Sequence, residues 1–269
     1  MTKPDPALYA SPIDLPAARS GKLAVEHFEI SGRVDIIGTR QALLTGRRQT
    51  IAQLAEPRRC HRLVETGVGV WMTDLPEELN QIAELLTCLK PRGHILIGGL
   101  GLGILAKSVS SLAGVDRTVV VELSPNVIKL CADSKAQYEV IRADVAKFVV
   151  QHPDRFDFYL LDTWQGTNEG TWWDTVMPLR RSIRRCFGAK PKIWCWAEDI
   201  MCGQIGQSLM NTHNPENPRT HWYYRGLPRL TASEFQKFWS GVGLPWWEKK
   251  YGATIDATIK EMKADHEPA

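Results

Sequence analysis

The chain has 269 residues, of which 43% are hydrophobic and 23% charged, and its formal net charge is +3. This much apolar material can form one large core or two modest ones, and it excludes an intrinsically disordered chain. No apolar run reaches the roughly 18 residues that a membrane-spanning helix needs. A charge this small does not by itself indicate a nucleic-acid partner, so partners must be inferred from sites.

The six cysteines include no Cys-x-x-Cys pair, which disfavours both a disulfide framework and a structural zinc site. The N-terminal stretch MTKPDPALYASPIDLP is rich in proline and lacks the basic and then apolar layout of a secretory signal. These features predict reduced thiols, no bound metal and a cytoplasmic protein.

Residues 1–73 are predicted to form a lead-in and a small β-rich extension. Two stretches in it alternate apolar and polar residues as strands do, KLAVEHFEIS and HRLVETGVGVWMTD. The polar segment between them, GTRQALLTGRRQTIAQLAEPRR, predicts a turn or a short helix. An extension of this kind can pair subunits, so a homodimer is compatible with the sequence.

Residues 74–212 are predicted to form an α/β core. Asp74, Pro76 and Glu77 supply a helix cap, a first-turn proline and a capping-box acid for a helix over about 75 to 90. Short runs of valine, isoleucine and leucine then alternate with helical segments, as in a parallel sheet covered on both faces. The predicted fold is a doubly wound, mostly parallel sheet, followed over residues 213–269 by a tryptophan-rich region of loop and helices.

The stretch HILIGGLGLG is a buried strand that runs into a glycine-rich turn and then into a helix. Glycines let the backbone turn sharply and approach a ligand, and the helix start offers amide donors. Four glycines in six positions exceed what a turn without a ligand needs. Gly98, Gly99, Gly101 and Gly103 are therefore predicted to line a site at the carboxyl end of the strand.

Two acidic residues follow at the ends of the next strands. Glu122 stands nineteen residues after Gly103, where a carboxylate can accept both hydroxyl hydrogens of a ribose. Asp144 ends the third strand, where it can accept a hydrogen bond from an adenine amino group, cap the next helix, or do both. The glycines also fit the dinucleotide pattern G-x-G-x-x-A, so they alone do not separate NAD from other nucleosides.

These stretches, in their order and spacing, resemble the class I S-adenosylmethionine-dependent methyltransferase superfamily and, within it, its spermidine synthase-like branch. The matching segments are HILIGGLGLG, VVVELSPNVIKL, VIRADV and FDFYLLDT, with VWMTDLPEELN similar to the lead-in of that branch. The resemblance implies a seven-stranded sheet and S-adenosylmethionine as the cofactor. It places the four glycines at the amino-acid and ribose end, Glu122 at the ribose and Asp144 facing the adenine.

The chain departs from the polyamine synthases of that branch at two positions. Ser124 stands where an aspartate is usual, and Gln165 stands where the second aspartate of the fourth motif would deprotonate the amine. Glutamine cannot act as a base, although Glu169 and Asp174 lie a few residues on. The sequence therefore predicts a methyltransferase, with an aminopropyltransferase and a nucleoside-binding module without turnover as alternatives. An NAD-dependent oxidoreductase is disfavoured because no Tyr-x-x-x-Lys is seen.

The acceptor is expected beside the loops after the fourth and fifth strands. The candidates there are mostly aromatic and acidic: Asp162, Trp164, Gln165, Trp172, Trp173, Glu198 and Asp199. Aromatic walls suit a planar or cationic acceptor, and the lack of a base-reading motif favours a small molecule over nucleic acid. Asp162 is predicted to be the catalytic base or an orienting group. Its alternatives are a buried carboxylate that caps a loop and a contact to the methionine amino group.

Three further groups have less specific interpretations. Trp194 and Trp196 are predicted to pack in the core. Arg180, Arg181, Arg184 and Arg185 recur one turn apart, which predicts a shared, solvated helix face. His213 and His221 flank a polar loop at a spacing that matches no metal site, so each is either a general base or an ordinary loop residue.

Overall fold

The computed structural model describes residues 11–35, 51–54, 56–152, 154–211, 230–231, 233–234 and 243–266. The chain divides into two compact units. Unit 1 comprises the residues up to Thr163 together with Lys190–Ile193, and unit 2 comprises Trp164–Ala189 and the residues from Trp194 onward. The division after Thr163 falls inside the segment 74–212 that the sequence predicts as one core, and the predicted domain boundaries stay predictions.

Unit 1 begins with short antiparallel strands. They are Ala18–Ser20 (β1), Leu23–Ile30 (β2), Arg33–Asp35 (β3), Ile51–Gln53 (β4), Arg58–Glu65 (β5) and Gly69–Thr73 (β6). Four of them form a sheet in the order β1-β2-β5-β6, while β3 pairs with β4. The predicted β-rich extension is confirmed. Residues 51–53 form a strand and not the predicted turn or short helix, and residues 38–50 and 55 of that segment lie outside the described residues.

The first helix, Pro76–Leu89 (α1), agrees with the predicted span of about 75 to 90. Its cap does not. The residue before the helix is Leu75, which supplies no side-chain cap, and Asp74 is fully buried and hydrogen-bonded to His61 instead. A buried carboxylate needs a strong donor, and a histidine on the neighbouring strand provides one that a local sequence pattern does not reveal.

A five-stranded sheet forms the centre of the fold. Its strands are Gly93–Gly98 (β7), Val115–Glu122 (β8), Glu139–Arg142 (β9), Phe158–Leu161 (β10) and Lys192–Cys195 (β11). The helices that follow the first three of these strands are Ile104–Ser110 (α2), Pro125–Cys131 (α3) and Val145–Gln151 (α4). The order is β11-β10-β7-β8-β9, with β10, β7, β8 and β9 paired in parallel.

This order is that of a doubly wound α/β sheet. The chain starts in the middle at β7, moves outward to β9, and then crosses to β10 on the other side of β7. The predicted fold class is confirmed, and the central strands are buried on both faces as their composition predicts. Among the described residues this sheet has five strands, where the resemblance implies seven.

Unit 2 is helical in its described part. Its helical segments are Glu169–Thr171 (α5), a π-helical segment over Trp172–Val176, Met177–Phe187 (α6), Glu198–Asn211 (α7) and Gly243–His266 (α8). Three buried tryptophans, Trp172, Trp173 and Trp247, contribute to its core. Their ring centroids are separated by 4.9 to 6.3 Å, and Trp172 meets Trp173 edge to face.

Two negative findings concern the described residues alone. Within them, no helix combines the length and the apolar character that crossing a membrane requires. The same part of the chain contains no cluster of three or more histidine, cysteine, aspartate or glutamate side chains that could hold a metal ion.

Candidate functional site

The candidate site lies where the chain switches direction across the sheet, between β7 and β10. Gly98 at the end of β7 pairs with Leu161 at the end of β10, and the Asp162 amide donates to the Gly98 carbonyl oxygen (2.8 Å). In open α/β sheets, ligands bind outside the carboxyl ends of the strands at such a switch point. Gly98 and Asp162, both predicted site residues, meet there.

The glycine-rich loop has structural reasons for its composition. Gly99, Gly101 and Gly103 have φ angles of +89°, +52° and +82°, in the left-handed region that side chains avoid. A Cβ atom on Gly99 would collide with the Asp162 carbonyl oxygen, and one on Gly101 would come within 2.6 Å of the Met72 sulfur. These three glycines are thus required by the conformation of the loop itself. The predicted role of the four glycines toward a ligand stays a prediction.

Glu122 at the end of β8 holds this loop from the side. Its Oε2 accepts a hydrogen bond from the Leu100 amide (2.8 Å), and its Oε1 accepts one from the Ser124 amide (2.7 Å). Each carboxylate oxygen can accept two hydrogen bonds, so one acceptor position remains on each oxygen. Two adjacent acceptors suit the paired hydroxyl groups of a ribose. Leu123, 65% exposed, adds an apolar surface beside them, which the sequence had not singled out.

Asp144 caps the helix α4, as one of its two predicted roles requires. Its Oδ1 accepts hydrogen bonds from the Ala146 amide (2.8 Å) and the Lys147 amide (3.1 Å). Because both bonds end on Oδ1, Oδ2 takes no part in the cap. The role toward an adenine stays a prediction that is compatible with this geometry.

Asp162 follows β10 and is half-buried. Its pKa is raised from 3.8 to about 7, chiefly by loss of hydration and in smaller part by the nearby carboxylate of Glu78. A group with a pKa near neutrality can accept and release a proton with little driving force, which suits a general base.

The lead-in to the sheet brings two residues to this region that the sequence interpretation missed. The Met72 sulfur lies 3.4 Å from the Leu102 amide nitrogen in the glycine-rich loop. Glu78, in the first turn of α1, accepts hydrogen bonds from the Thr73 amide (3.0 Å) and hydroxyl (2.8 Å), and burial raises its pKa. Both lie within VWMTDLPEELN, whose similarity to a family lead-in was the signal available in the sequence.

The predicted acceptor residues of unit 2 have mixed environments. Trp164 is buried, and its indole nitrogen donates to the Trp196 carbonyl oxygen (3.2 Å). Gln165 is exposed, whereas Trp172 is fully buried. Trp194 and Trp196 are only half-buried. The acceptor role of Trp164, Gln165, Trp172 and Glu198 stays a prediction.

Glu198 belongs to a buried group of charges. Arg180 donates from Nη1 to Glu198 (3.0 Å) and from Nη2 to Glu248 (3.1 Å), and its own side chain is 4% exposed. Burial raises the pKa of Glu198 from 4.5 to about 7, Arg180 opposes the increase and Glu248 adds to it. The predicted solvated arginine face is therefore wrong at Arg180, because its guanidinium is buried and donates to carboxylates on two other helices.

The two histidines considered from the sequence, His213 and His221, lie outside the described residues. Their roles stay predictions.

Comparison with known proteins finds similar structures but no relative in sequence. No protein-family model matches the chain, and no curated protein matches it. The solved structures that match are mostly S-adenosylmethionine-dependent methyltransferases, with spermidine synthases among them.

Three of these structures indicate the level of similarity. A SAM-dependent methyltransferase from Archaeoglobus fulgidus is 16% identical with a TM-score of 0.31, over 42% of this chain and 46% of that chain. A TehB-like SAM-dependent methyltransferase from Corynebacterium glutamicum is 17% identical with a TM-score of 0.32, over 60% of this chain and 71% of that chain. Spermidine synthase from Thermotoga maritima is 14% identical with a TM-score of 0.29, over 60% of each chain. The chain spans about half the length of the first of these, and similarity at this level assigns it no function.

Proposed function

We propose that the chain is an S-adenosylmethionine-dependent methyltransferase that acts on a small molecule. The observation that carries the proposal is the position of Glu122, whose two oxygens keep acceptor capacity beside a glycine-rich loop at the switch point of a doubly wound sheet. This donor and acceptor set fits a nucleoside. When bound, S-adenosylmethionine would supply an electrophilic methyl group on a good leaving group.

The order of the strands supports an order in which the parts of the ligand would lie along the carboxyl edge of the sheet. Asp144, Glu122 and Gly98 end the neighbouring strands β9, β8 and β7 or follow directly after them, and Asp162 follows β10. An adenine at Asp144 and a ribose at Glu122 would leave the amino-acid end at the glycines and Asp162.

Asp162 is the residue that we propose for proton transfer. A methyl transfer needs orientation, exclusion of water and, for a protonated acceptor, a base. The raised pKa of Asp162, about 7, fits this last task. Trp164, Gln165, Trp172 and Glu198 stay the candidates for acceptor binding, and the lack of a base-reading motif in the sequence favours a small acceptor over nucleic acid.

Isothermal titration of the purified chain tests the proposal. S-adenosylmethionine, S-adenosylhomocysteine, decarboxylated S-adenosylmethionine and NAD are titrated in parallel. Micromolar binding of the first two is expected, and a clear preference for the decarboxylated compound would instead favour aminopropyl transfer. Binding of NAD alone would indicate a dinucleotide site. If none of the adenosyl compounds binds, the proposed function is wrong.

A further inference from the structure

A buried histidine–aspartate pair joins the N-terminal sheet to the first helix. His61 on β5 and Asp74, directly after β6, are 3% and 0% exposed. The Asp74 carboxylate accepts hydrogen bonds from the His61 backbone amide (2.6 Å) and meets the ring nitrogen Nδ1 at 2.7 Å. The Asp74 amide returns a bond to the His61 carbonyl oxygen (3.2 Å). Three contacts thus fix one residue at the junction.

Stabilisation of the fold does not by itself explain this buried pair. Among the described residues nothing hydrogen-bonds the His61 Nε2 atom, although it is buried. A buried polar atom without a partner costs free energy, and buried polar pairs can often be replaced by apolar side chains without loss of stability. The value of such a pair lies in the geometry that it imposes.

The geometry imposed at Asp74 concerns the candidate site. On one side of Asp74 lies Met72, whose sulfur contacts the Leu102 amide and fills the space over Gly101. On the other side lies Glu78, whose carboxylate is bound by Thr73 and raises the pKa of Asp162. Asp74, which His61 holds in place, therefore lies in the chain between the two residues that interact with the site, Met72 and Glu78.

We propose that His61 and Asp74 are positioning residues that hold the segment Met72–Glu78 against the glycine-rich loop and so set the affinity for the adenosyl ligand. The inference rests on the proposed function. It adds a second group of residues, far from the loop in sequence, on which ligand binding depends. Neither residue touches the ligand, and both act through Met72 and Glu78.

Titration of the full chain with S-adenosylhomocysteine is the first test. His61→Ala is expected to weaken binding by about tenfold or more, because small displacements of a site are costly. Asp74→Asn should stay within about twofold of the native chain, since an amide can still accept from the His61 amide and donate to a neutral imidazole. Arg62→Ala is the matched control. It removes the neighbouring, partly exposed pair with Glu26 and should leave binding unchanged.

A second variant separates positioning from stability. His61→Leu combined with Asp74→Asn removes the contact to the ring and keeps an amide oxygen that can accept from the backbone amide of residue 61. It should therefore fold more readily than His61→Ala, which also leaves a cavity. If the pair positions the segment, this folded variant loses affinity as His61→Ala does. Native affinity in the double variant would overturn the proposal. The double variant also decides the question if His61→Ala does not fold.

A measurement without ligand distinguishes failure of this inference from failure of the proposed function. Amide hydrogen exchange is followed in peptides that cover residues 99–103 of the free chain. Faster exchange in the His61 variants but not in Arg62→Ala is expected, whether or not any adenosyl compound binds. Unchanged exchange would contradict the positioning role, whereas a native chain that binds no adenosyl compound contradicts only the proposed function.

Discussion

Units 1 and 2 satisfy their carboxylates in opposite ways. At the sheet edge of unit 1, Glu122 and Asp144 accept hydrogen bonds from backbone amides within the same or an adjacent loop. In unit 2, Glu198 and Glu248 share one guanidinium, that of Arg180, and the Oε1 atom of each carboxylate has no hydrogen-bond partner among the described residues. Backbone amides leave an acid able to accept a ligand, whereas the shared guanidinium leaves an excess of negative charge in the interior.

The comparison separates two environments of a carboxylate. A half-exposed carboxylate that accepts one backbone amide on an oxygen keeps further acceptor capacity for a ligand. A carboxylate pair that shares one cation is sensitive instead to loss of that cation and to pH. The predictions that follow test this contrast, beginning with the largest effect.

Removal of the shared cation should be the most damaging change. Arg180→Met leaves two carboxylates without their partner in a buried site and should lower the free energy of unfolding by about 3–5 kcal/mol. Calorimetry or urea denaturation measures the loss. Arg185→Met, an exposed position on the same helix α6, is the control and should have almost no effect. Equal stability of the two variants would mean that the charge group contributes nothing.

Stability should depend on pH through Glu198. Its pKa is raised from 4.5 to about 7 in the folded chain, so the folded state binds the proton more tightly than the unfolded state. A contribution of about 3 kcal/mol to the free energy of unfolding is therefore lost as pH rises between these values. Glu198→Gln should be close to the native chain at acidic pH and more stable above neutrality.

A series of melting curves between acidic and alkaline pH checks this sign. Asp162 titrates in the same range, so Asp162→Asn serves as the control that isolates the contribution of Glu198. Parallel pH profiles of the native chain and Glu198→Gln would contradict the assignment of the proton to Glu198.

In unit 1, removal of the carboxylate of Glu122 should change the affinity for the ligand. Glu122→Ala removes an acceptor from the proposed ribose site and should weaken S-adenosylhomocysteine binding by about 1.5–3 kcal/mol, the range for a hydrogen bond to a charged group. Titration calorimetry measures the change. Glu139→Ala, at the exposed start of the neighbouring strand β9, should bind normally. Unchanged affinity in folded Glu122→Ala would remove Glu122 from the ribose site.

The smallest effect is expected at Asp144. Asp144→Ala removes the cap of α4 and should lower the free energy of unfolding by about 1 kcal/mol. Asp144→Ser retains a capping oxygen and should recover most of this loss, but its shorter side chain should not restore a bond to adenine. If Asp144→Ser binds S-adenosylhomocysteine as well as the native chain, Asp144 is a cap alone.

Much of unit 1 was predictable because its signals are local. The glycine-rich turn, the apolar strands and the helix after Asp144 each follow from neighbouring residues, and the topology of the sheet follows from their alternation. The cap assigned to Asp74 was wrong for the same reason. Its partner, His61, lies on another strand, and no pattern of adjacent residues indicates that pairing.

The glycines illustrate a further difference. The sequence interpretation attributed their number to a ligand, because four glycines in six positions exceed what a turn needs. The tertiary structure shows the collisions with Asp162 and Met72 that a side chain would cause. Met72 and Glu78 were missed because a methionine and a glutamate in a lead-in carry no chemical signature of their own.

The sequence by itself determined the strand and helix pattern, the class of sheet and the local groups at its carboxyl edge, because periodicity, glycine conformations and helix caps depend on residues close in the chain. Only the tertiary structure decided which charges are buried together. Arg180, Glu198 and Glu248 come from three helices, and His61 and Asp74 from two sides of a strand pair. Their pairing depends on how distant segments exclude water, and that exclusion raises the pKa of Glu198 and leaves Arg180 as the cation that Glu198 and Glu248 share.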